Sequence, residues 1–397
     1  MNNISTKTKS IGFYLTVIFA FIFLFDFLIK FSFYNDALTY RRYSAVLKIL
    51  LEIFFIGSLI KIGIGKNLIV IVSLLILCFI TGQIFLFEKT VFCKDIINEV
   101  LRGDIYHLNK YIFIILFVFY TESSKHKILL ANTFIRVLIY FLIVNACFII
   151  IGFLFQVNFF QSFPNSSRFG YSGLFSKSGE AVLLYIMIAI LFYIRFLKNK
   201  NFYPVLFFII IAMLTGKKIA LLLPLLLFLD FFVLKFKNHL KIIFITVFCL
   251  IIFYFESIAL YAIDVFPFWK PLYHEKGLWA VVFSTRNLNF FNGLEFIQNS
   301  WSFPNYLFGG VNYNTLSIEI DPFDLVLFFG IFGSIIYFYF IKVYYFNKII
   351  KHRILLLGFF FLAMLYGAFL FNTLLMPSFF LFIIYLRNFY NEKNKTH

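Results

Sequence analysis

The chain has 397 residues, of which 62% are hydrophobic and 13% are charged, and its formal net charge is +17. A single soluble core could not bury that much apolar surface, so the composition excludes an ordinary soluble domain and predicts an all-α protein that crosses a membrane several times. The four cysteines show no CxxC spacing, and no disulfide framework is implied.

Twelve apolar runs predict the elements of the chain, because a helix needs roughly 17 to 25 mainly apolar residues to cross a bilayer. In chain order the predicted spans are 11–29, 43–60, 67–87, 105–121, 129–155, 180–197, 202–216, 219–234, 241–255, 321–341, 354–370 and 374–387. The predicted organisation is nine spans in 1–255, with an outward loop at 156–179 and a hairpin tip at 215–218, then a large loop at 256–320, and three spans with a tail in 321–397.

The basic residues are distributed unevenly between alternate loops. If the N-terminus is cytoplasmic, the loops on that side hold 19 basic residues and only two acids, Glu122 and Glu392, whereas the opposite loops hold 14 basic residues and 13 acids. Cytoplasmic loops of membrane proteins carry such an excess of lysine and arginine. Topology therefore explains the net charge without nucleic-acid binding, and it predicts cytoplasmic termini and an outward-facing large loop.

Charged residues inside the predicted spans need separate explanations. Lys48 and Glu52 are four residues apart on one helix face, and we interpret them as a structural pair, with a proton relay as the less favoured alternative. Arg136 is close enough to the cytoplasmic end to extend its guanidinium to the membrane surface. Asp26 has no such explanation, and a transporter hypothesis would begin from it.

Three outward segments carry isolated cations. The run "LTGKKIALLL" places Lys217 and Lys218 at the tip of a tight helical hairpin, where Gly216 permits the turn. Arg168 lies in the loop before the sixth span, and Arg286 lies in the large loop. Each cation alone is explained by anchoring or surface exposure. Together above one bundle they predict an anion site, and guanidinium groups suit a diphosphate because they donate two parallel hydrogen bonds.

The end of the large loop presents acidic residues. In "NYNTLSIEIDPFDLVLFFGIFG", Glu319, Asp321 and Asp324 lie at the mouth of the tenth span. Asp321, with a proline after it, fits the first turn of a helix, where a carboxylate favours the helix dipole. Glu319 is not needed as a cap, so it is the candidate general base. Both aspartates are kept as candidates for contact with an acceptor sugar.

Aromatic and histidine residues of the large loop add further candidates for sugar contacts. All three tryptophans lie in this loop, and aromatic rings suit the apolar faces of sugars as well as a membrane interface. The candidate acceptor contacts are Tyr313, His274 and Trp301. Neither a GxxxxGK[ST] nor a GxGxxG phosphate loop is present, and His274 lacks the second histidine of a zinc helix, so no metal, nucleotide or other cofactor is expected.

The segments between about 168 and 338 resemble, in their order, the Wzy-type O-antigen polymerases and the related O-antigen ligases. The first loop is similar to the family's "R…G-hydrophobic-F" pattern, with Arg168 and Gly173 in the matching places. The hairpin is similar to the family's "T-x-S-R", with Lys217 at the serine and Lys218 at the arginine.

The large loop carries the remaining likenesses. "STRNLNFFNGLEFI" resembles the arginine-containing segment of the family, with a match at Arg286, and "YLFGGVNY" resembles the Gly-rich stretch after it. The ligases have a histidine ahead of a glycine with ten residues between the two, and Glu319 stands at that position ahead of Gly330. This difference favours a polymerase over a ligase.

The resemblance implies a GT-C-like helical glycosyltransferase of the bacterial inner membrane, with a periplasmic active site. Nucleotide sugars are not available there, so the donor would be an undecaprenyl-diphosphate oligosaccharide. Arg168, Lys217, Lys218 and Arg286 would hold its diphosphate, and Arg286 and Glu319 would be catalytic. The implied product is an O-antigen or capsule polysaccharide. The implied partners are lipid-linked repeat units as donor and acceptor, membrane lipids, a chain-length regulator and a flippase.

Two other functions are alternatives. An O-antigen ligase, which transfers glycan to the lipid A core, would differ only in its acceptor. A lipid-linked oligosaccharide flippase or other carrier would use Asp26, Lys48, Glu52 and Arg136 as a pathway through the membrane. The sequence shows no pair of matching halves, and its one large loop lies on a single side, which disfavours the carrier.

Overall fold

The computed structural model describes residues 16–24, 27–32, 34, 39–89, 94–164, 168–235, 253–265, 269–313, 315–349, 351–367 and 369–393. These residues are 82% helical and include no β-strand. The all-α class predicted from composition is therefore confirmed for them. Two predictions lie outside the described residues, namely Asp26 and nearly all of the ninth predicted span, 241–255.

The helices follow the apolar runs of the chain and are numbered here within the described residues. They are α1 (Thr39–Ile62), α2 (Lys66–Lys89), α3 (Lys94–Ser123), α4 (Lys127–Phe155), α5 (Ser178–Asn199), α6 (Tyr203–Leu214), α7 (Ile219–Lys235), α8 (Phe255–Val265), α9 (Trp269–Val282), α10 (Arg286–Ser300), α11 (Phe303–Phe308), α12 (Asp321–Tyr344), α13 (Arg353–Tyr366) and α14 (Leu375–Lys393). Short 3₁₀ turns, Asn158–Phe160 and Phe346–Lys348, follow α4 and α12. Residues 16–24 and 27–32 are also helical.

Several helices have the length and composition of membrane spans. Four are long and apolar enough to cross a membrane, at Lys66–Glu88, Lys127–Phe155, Ser178–Asn199 and Asp321–Lys348, and three shorter apolar helices occur at Tyr203–Leu214, Ile219–Val233 and Arg353–Tyr366. These helices support a membrane-embedded protein, while the count of twelve spans stays a prediction. The helix that contains the fourth predicted span, α3, is longer than that span, since it begins at Lys94.

The centre of the bundle is formed by α5 and α14. Nearly every side chain from Glu180 to Ile194 on α5 is buried, and α14 packs against α3, α4 and α5. A helix that is apolar on all sides is buried when other helices surround it. By contrast, α1 and α4 expose large apolar side chains such as Ile53 and Tyr140, the pattern expected of helices that face lipid.

Side-chain contacts group the loops into two ends of the bundle. At one end, Glu122 in the last turn of α3 contacts Lys127 at 3.5 Å and also contacts Lys348 after α12. At the same end, the Nδ1 atom of His352 lies 2.8 Å from a carboxylate oxygen of Asp230 on α7. We call this the basic end. The loop before α5 and the hairpin between α6 and α7 meet at the other end, the hairpin end. Segments predicted to share one side of the membrane thus meet at the same end.

Charges within the predicted spans take part in helix contacts. The Nδ2 atom of Asn109 on α3 donates a hydrogen bond of 2.8 Å to Glu52 on α1. Asp230 is 2% exposed and is held by the His352 contact described above. These contacts support the structural interpretation of Glu52, whereas Arg136 on α4 is exposed.

Glycines let a short loop helix enter the bundle beside a break in α12. Gly330 has a φ of +66° inside α12, nine residues after Asp321, which is about 13 Å along the helix axis. A Cβ on Gly330 would lie 2.4 Å from the nitrogen of Gly309, which follows α11. The N–H of Gly310 donates to the carbonyl of Leu327 at 3.0 Å, a bond that pairs backbone groups at the break. The Gly-rich stretch is therefore a backbone packing element.

Gly330→Ala is expected to lower the free energy of unfolding by about 2 kcal/mol or more. Its φ of +66° with a ψ of −170° is a conformation essentially restricted to glycine, and a Cβ would lie 2.4 Å from the backbone of Leu307. The unfolding midpoint of the detergent-solubilised chain measures the effect. Gly57→Ala on α1 is the control, because a Cβ there would meet nothing within 4 Å. Equal midpoints for the two variants would contradict the packing role of Gly330.

Candidate functional site

Two loops that are distant in sequence cross at the hairpin end, with glycines at the crossing. A Cβ on Gly216 would lie 2.0 Å from the carbonyl oxygen of Phe169 and 2.6 Å from the Cα of Gly170. The N–H of Tyr171 donates to the carbonyl of Leu214 at 2.9 Å. Only glycine allows backbones to approach this closely. The crossing sets Arg168 beside the hairpin tip.

The side chains of Arg168 and Lys217 share one aromatic ring. The guanidinium carbon of Arg168 lies 4.0 Å from the ring centroid of Phe163, and the Nζ atom of Lys217 lies 4.3 Å from it. The Arg168 guanidinium is also 5.6 Å from the ring of Trp269. Cations are attracted to aromatic faces at these distances. Two cations predicted from separate segments are therefore neighbours.

Lys218 is bound to the turn between α9 and α10. Its Nζ atom lies 3.7 Å from the ring of Trp269 and donates hydrogen bonds to the carbonyl of Val281 and to the hydroxyl of Ser284, the latter at 3.2 Å. These bonds use two of the three donors of its ammonium group. The sequence favoured Lys218 for phosphate contact because it stands at an arginine position, but its bonds hold the turn that leads into Arg286.

Arg286 is the first residue of α10 and faces two other segments. Its guanidinium carbon lies 5.3 Å from the ring of Tyr366 at the end of α13, and its Nε atom lies 3.6 Å from a carboxylate oxygen of Glu319. The Arg286 side chain is 19% exposed, whereas that of Glu319 is 59% exposed. We call Arg168, Lys217, Lys218, Arg286 and Glu319 the cationic cluster.

The backbone at Glu319 is held in an uncommon conformation. Its φ of +60° lies in the left-handed region, which few residues other than glycine adopt. The Asp324 carboxylate accepts hydrogen bonds from the N–H groups of Ile318, at 2.7 Å, and of Glu319. Gly367 packs on the other side, where a Cβ would lie 2.2 Å from the Glu319 carbonyl oxygen. Asp324 therefore positions the backbone of Glu319.

Asp321 plays a similar part for the loop after Tyr366. One of its carboxylate oxygens accepts hydrogen bonds from the N–H groups of Phe369, at 2.8 Å, and Leu370, at 2.7 Å. Asp321 and Asp324 are each only 1% exposed. Their burial and backbone contacts argue against the sugar contacts expected of them and indicate positioning residues.

The cluster carries an excess of positive charge. Burial, together with repulsion from Arg168 and Arg286, lowers the pKa of Lys217 to about 8 and that of Lys218 to about 7. Glu319 opposes this effect on Lys217. Burial also lowers the pKa of Arg168. The cluster contains four cations and a single carboxylate, so a bound anion would reduce the repulsion between the cations.

Affinity for a diphosphate diester is expected to fall as the pH rises from about 6 to about 9. Lys218 and Lys217 lose their protons near pH 7 and pH 8, so the site loses up to two positive charges over this range. A diester is the suitable ligand, because its own charge is constant there, and isothermal titration calorimetry measures its binding. In the control variant Lys217→Arg/Lys218→Arg the guanidinium groups stay charged, so the pH dependence should flatten. A flat profile in the unmodified protein would contradict the prediction.

The remaining predicted sugar contacts lie in different surroundings. Tyr313 is 8% exposed, and its N–H donates to the Asp104 carboxylate at 2.9 Å. Trp301 is 5% exposed, and its indole N–H donates to the carbonyl of Gly310 at 2.8 Å. These contacts argue against sugar binding by Tyr313 and Trp301 and assign both to packing of the large loop. His274 is exposed on α9.

Two aromatic residues of the site were not identified from the sequence. Phe163 lies under Arg168 and Lys217. It is one of 64 phenylalanines, so the sequence does not distinguish it from the others. Tyr366 lies under Arg286 at the end of an apolar helix. Its position just before Gly367 is the one local signal, because a glycine after a helix often marks its end at a loop.

The arrangement is suited to an anion beside an acidic group. Arg168 and Lys217 share the Phe163 ring, and Arg286 is paired with an exposed carboxylate. Guanidinium and ammonium groups bind phosphate oxygens through charge-assisted hydrogen bonds. No family model, no curated protein and no solved structure matches the chain.

Proposed function

We propose that the chain is a Wzy-type polymerase, a membrane glycosyltransferase that joins undecaprenyl-diphosphate-linked oligosaccharide repeat units into a surface polysaccharide. The observation that carries the proposal is the cationic cluster itself. Its four cations come from three stretches of chain, around 168, 217 and 286, yet they meet at one end of an apolar helical bundle beside Glu319. A lipid-linked diphosphate needs such an anion site at the end of a membrane bundle.

The cations would bind the donor diphosphate and the charge that it gains. When the bond between the anomeric carbon and the diphosphate oxygen breaks, the leaving diphosphate takes the electron pair and one more negative charge. Arg168 and Arg286 suit this role because guanidinium groups donate paired hydrogen bonds to phosphate. Groups fixed in place before the reaction stabilise developing charge without reorganisation.

Glu319 would act as the general base. The acceptor is the terminal sugar of a second lipid-linked repeat unit, and its hydroxyl oxygen forms the new bond to the anomeric carbon of the donor. Glu319 takes the hydroxyl proton, so the products are a longer glycan and a free polyprenyl diphosphate. Its exposed carboxylate and its constrained backbone support this role, because a base must reach the proton that it removes.

The two lysines would have different roles. Lys218 is bound to the turn before Arg286, so it positions that arginine. Lys217 lies on Phe163 next to Arg168, which makes it the better candidate for direct phosphate contact. Under the predicted topology this end faces the periplasm of a bacterial inner membrane, where a flippase supplies repeat units and a chain-length regulator limits growth.

The experiment that tests the function is chain extension by the purified full-length protein. In a bilayer with lipid-linked repeat units, and with neither nucleotide nor divalent metal added, we expect a ladder of lipid-linked oligomers. In a strain that lacks the protein, we expect a single repeat unit on the outer lipid. A strain with no repeat unit there would point to a ligase, and units trapped inside would point to a flippase.

A further inference from the structure

A groove of about 400 Å³ opens at the basic end, far from the cationic cluster. It is lined by α4, α5 and α14. Its polar lining consists of Asn132 and Arg136 of α4, Arg195 of α5, and Tyr385 and Asn388 of α14. No carboxylate lines the groove within the described part of the chain. The groove thus collects two guanidinium groups from two helices.

The two arginines differ in how they are held. A guanidinium nitrogen of Arg195 donates to the hydroxyl of Tyr385 at 2.5 Å, and the guanidinium carbon lies 5.3 Å from the ring of Phe192. Arg136 is exposed, and it lies nine residues after Lys127, about 13 Å along α4. A charged arginine side chain on the outer face of so apolar a helix costs free energy in a membrane, unless an anion or another polar partner accompanies it.

Two acids of the basic end already have partners. Glu122 contacts Lys127 and Lys348, and Asp230 contacts His352. Among the described residues, the groove is therefore a cationic surface that these acids leave available for an outside anion.

The walls of the groove indicate that the anion is attached to hydrocarbon. Ile135, Ile139 and Tyr140 of α4 line it beside the arginines, and Tyr140 is 66% exposed. The neighbouring α4 residues Ile143 and Val144 are also exposed, so the apolar wall continues into the outer face of the helix. A free inorganic anion would gain nothing from this wall, whereas an amphiphile would cover it.

We propose that this groove binds the phosphate headgroup of an anionic phospholipid, through the guanidinium groups of Arg136 and Arg195 that line it, with an acyl chain along the apolar wall of α4. Basic pockets between membrane helices on the cytoplasmic side bind anionic headgroups in this way. The proposal does not depend on the transferase function, because it uses other residues at the opposite end of the bundle.

The test is native mass spectrometry of the delipidated full-length protein in detergent, with added phosphatidylglycerol or phosphatidylcholine. We expect one tightly bound phosphatidylglycerol, preferred over phosphatidylcholine by about tenfold or more, because the choline ammonium of phosphatidylcholine repels the two guanidinium groups and leaves that headgroup without net charge. Arg136→Gln should weaken phosphatidylglycerol binding by about tenfold, and Arg136→Lys should weaken it less. Because Arg136 is exposed, its substitution leaves the helix packing intact.

One control variant and three contrary outcomes make the test decisive. Arg102→Gln removes an exposed arginine of α3 outside the groove and should bind phosphatidylglycerol as the unmodified protein does. Equal binding of the two lipids, or full phosphatidylglycerol binding by Arg136→Gln, would overturn the proposal. Complete displacement of the lipid by millimolar inorganic phosphate would also overturn it, since the groove would then be a site for a free anion. Weak displacement by phosphate would support the lipid.

Discussion

Arg286→Ala is expected to reduce chain extension on the order of a hundredfold, through the loss of about 3 kcal/mol of transition-state stabilisation. Arg286 lies between the Tyr366 ring and the Glu319 carboxylate, and it is only 19% exposed. Its removal would take away the cation beside the leaving diphosphate and the partner of the general base at once. The rate of oligomer formation by purified protein in a bilayer measures the effect.

Matched variants separate this effect from loss of the fold. Arg286→Lys keeps the charge but not the paired donors, so its activity should lie between those of the unmodified protein and Arg286→Ala. Arg102→Ala removes an exposed arginine outside the cluster and should extend chains normally. All variants should insert into the membrane and accumulate alike. Normal polymer from Arg286→Ala would remove the arginine from the mechanism.

Glu319→Gln is expected to lower kcat by about a hundredfold or more while leaving KM nearly unchanged. Glutamine has almost the same shape but cannot take the proton of the acceptor hydroxyl, and general-base catalysis typically contributes about 10²–10⁴-fold. The cations of the cluster would be unchanged, so diphosphate binding should persist. Initial rates of chain extension over a range of repeat-unit concentrations give the two constants.

The control for Glu319→Gln is Glu295→Gln, an exposed carboxylate on α10 in the same large loop. It should leave both constants unchanged. Asp324→Asn tests the positioning role, because the amide presents a weaker acceptor to the N–H groups of Ile318 and Glu319. An intermediate loss of kcat is expected there. Full activity of Glu319→Gln would exclude Glu319 as the general base and would favour the alternative functions, the ligase and the carrier.

The cations of the cluster could be predicted from the sequence because charge is conspicuous in an apolar chain. Lys217 and Lys218 interrupt a run of hydrocarbon side chains, and the count of basic residues in alternate loops places them with Arg168 and Arg286. Their pairwise contacts could not be predicted, because the distance between 168 and 217 depends on how two loops cross. That crossing rests on two glycines with no side chain.

The acidic residues show where sequence reasoning reaches its limit. Glu319, Asp321 and Asp324 lie within six residues and offer the same chemical group. The fold separates them, since Asp321 and Asp324 turn inward to backbone N–H groups while the Glu319 side chain is 59% exposed. Which carboxylate meets backbone and which meets solvent depends on loops at 317–319 and 367–370 that are far apart in sequence.

The sequence by itself determined the all-α class, the membrane setting and the places where charge interrupts hydrocarbon, because these depend on local composition and on the cost of burying polar groups in lipid. Only the tertiary structure decided that Lys218 holds a turn while Lys217 lies beside Arg168, and that Phe163 and Tyr366 lie under cations. It also decided that the short loop helix α11 meets a break in α12. The reason is that side-chain contacts between distant segments are set by packing, and many sequences with the same apolar pattern would pack differently.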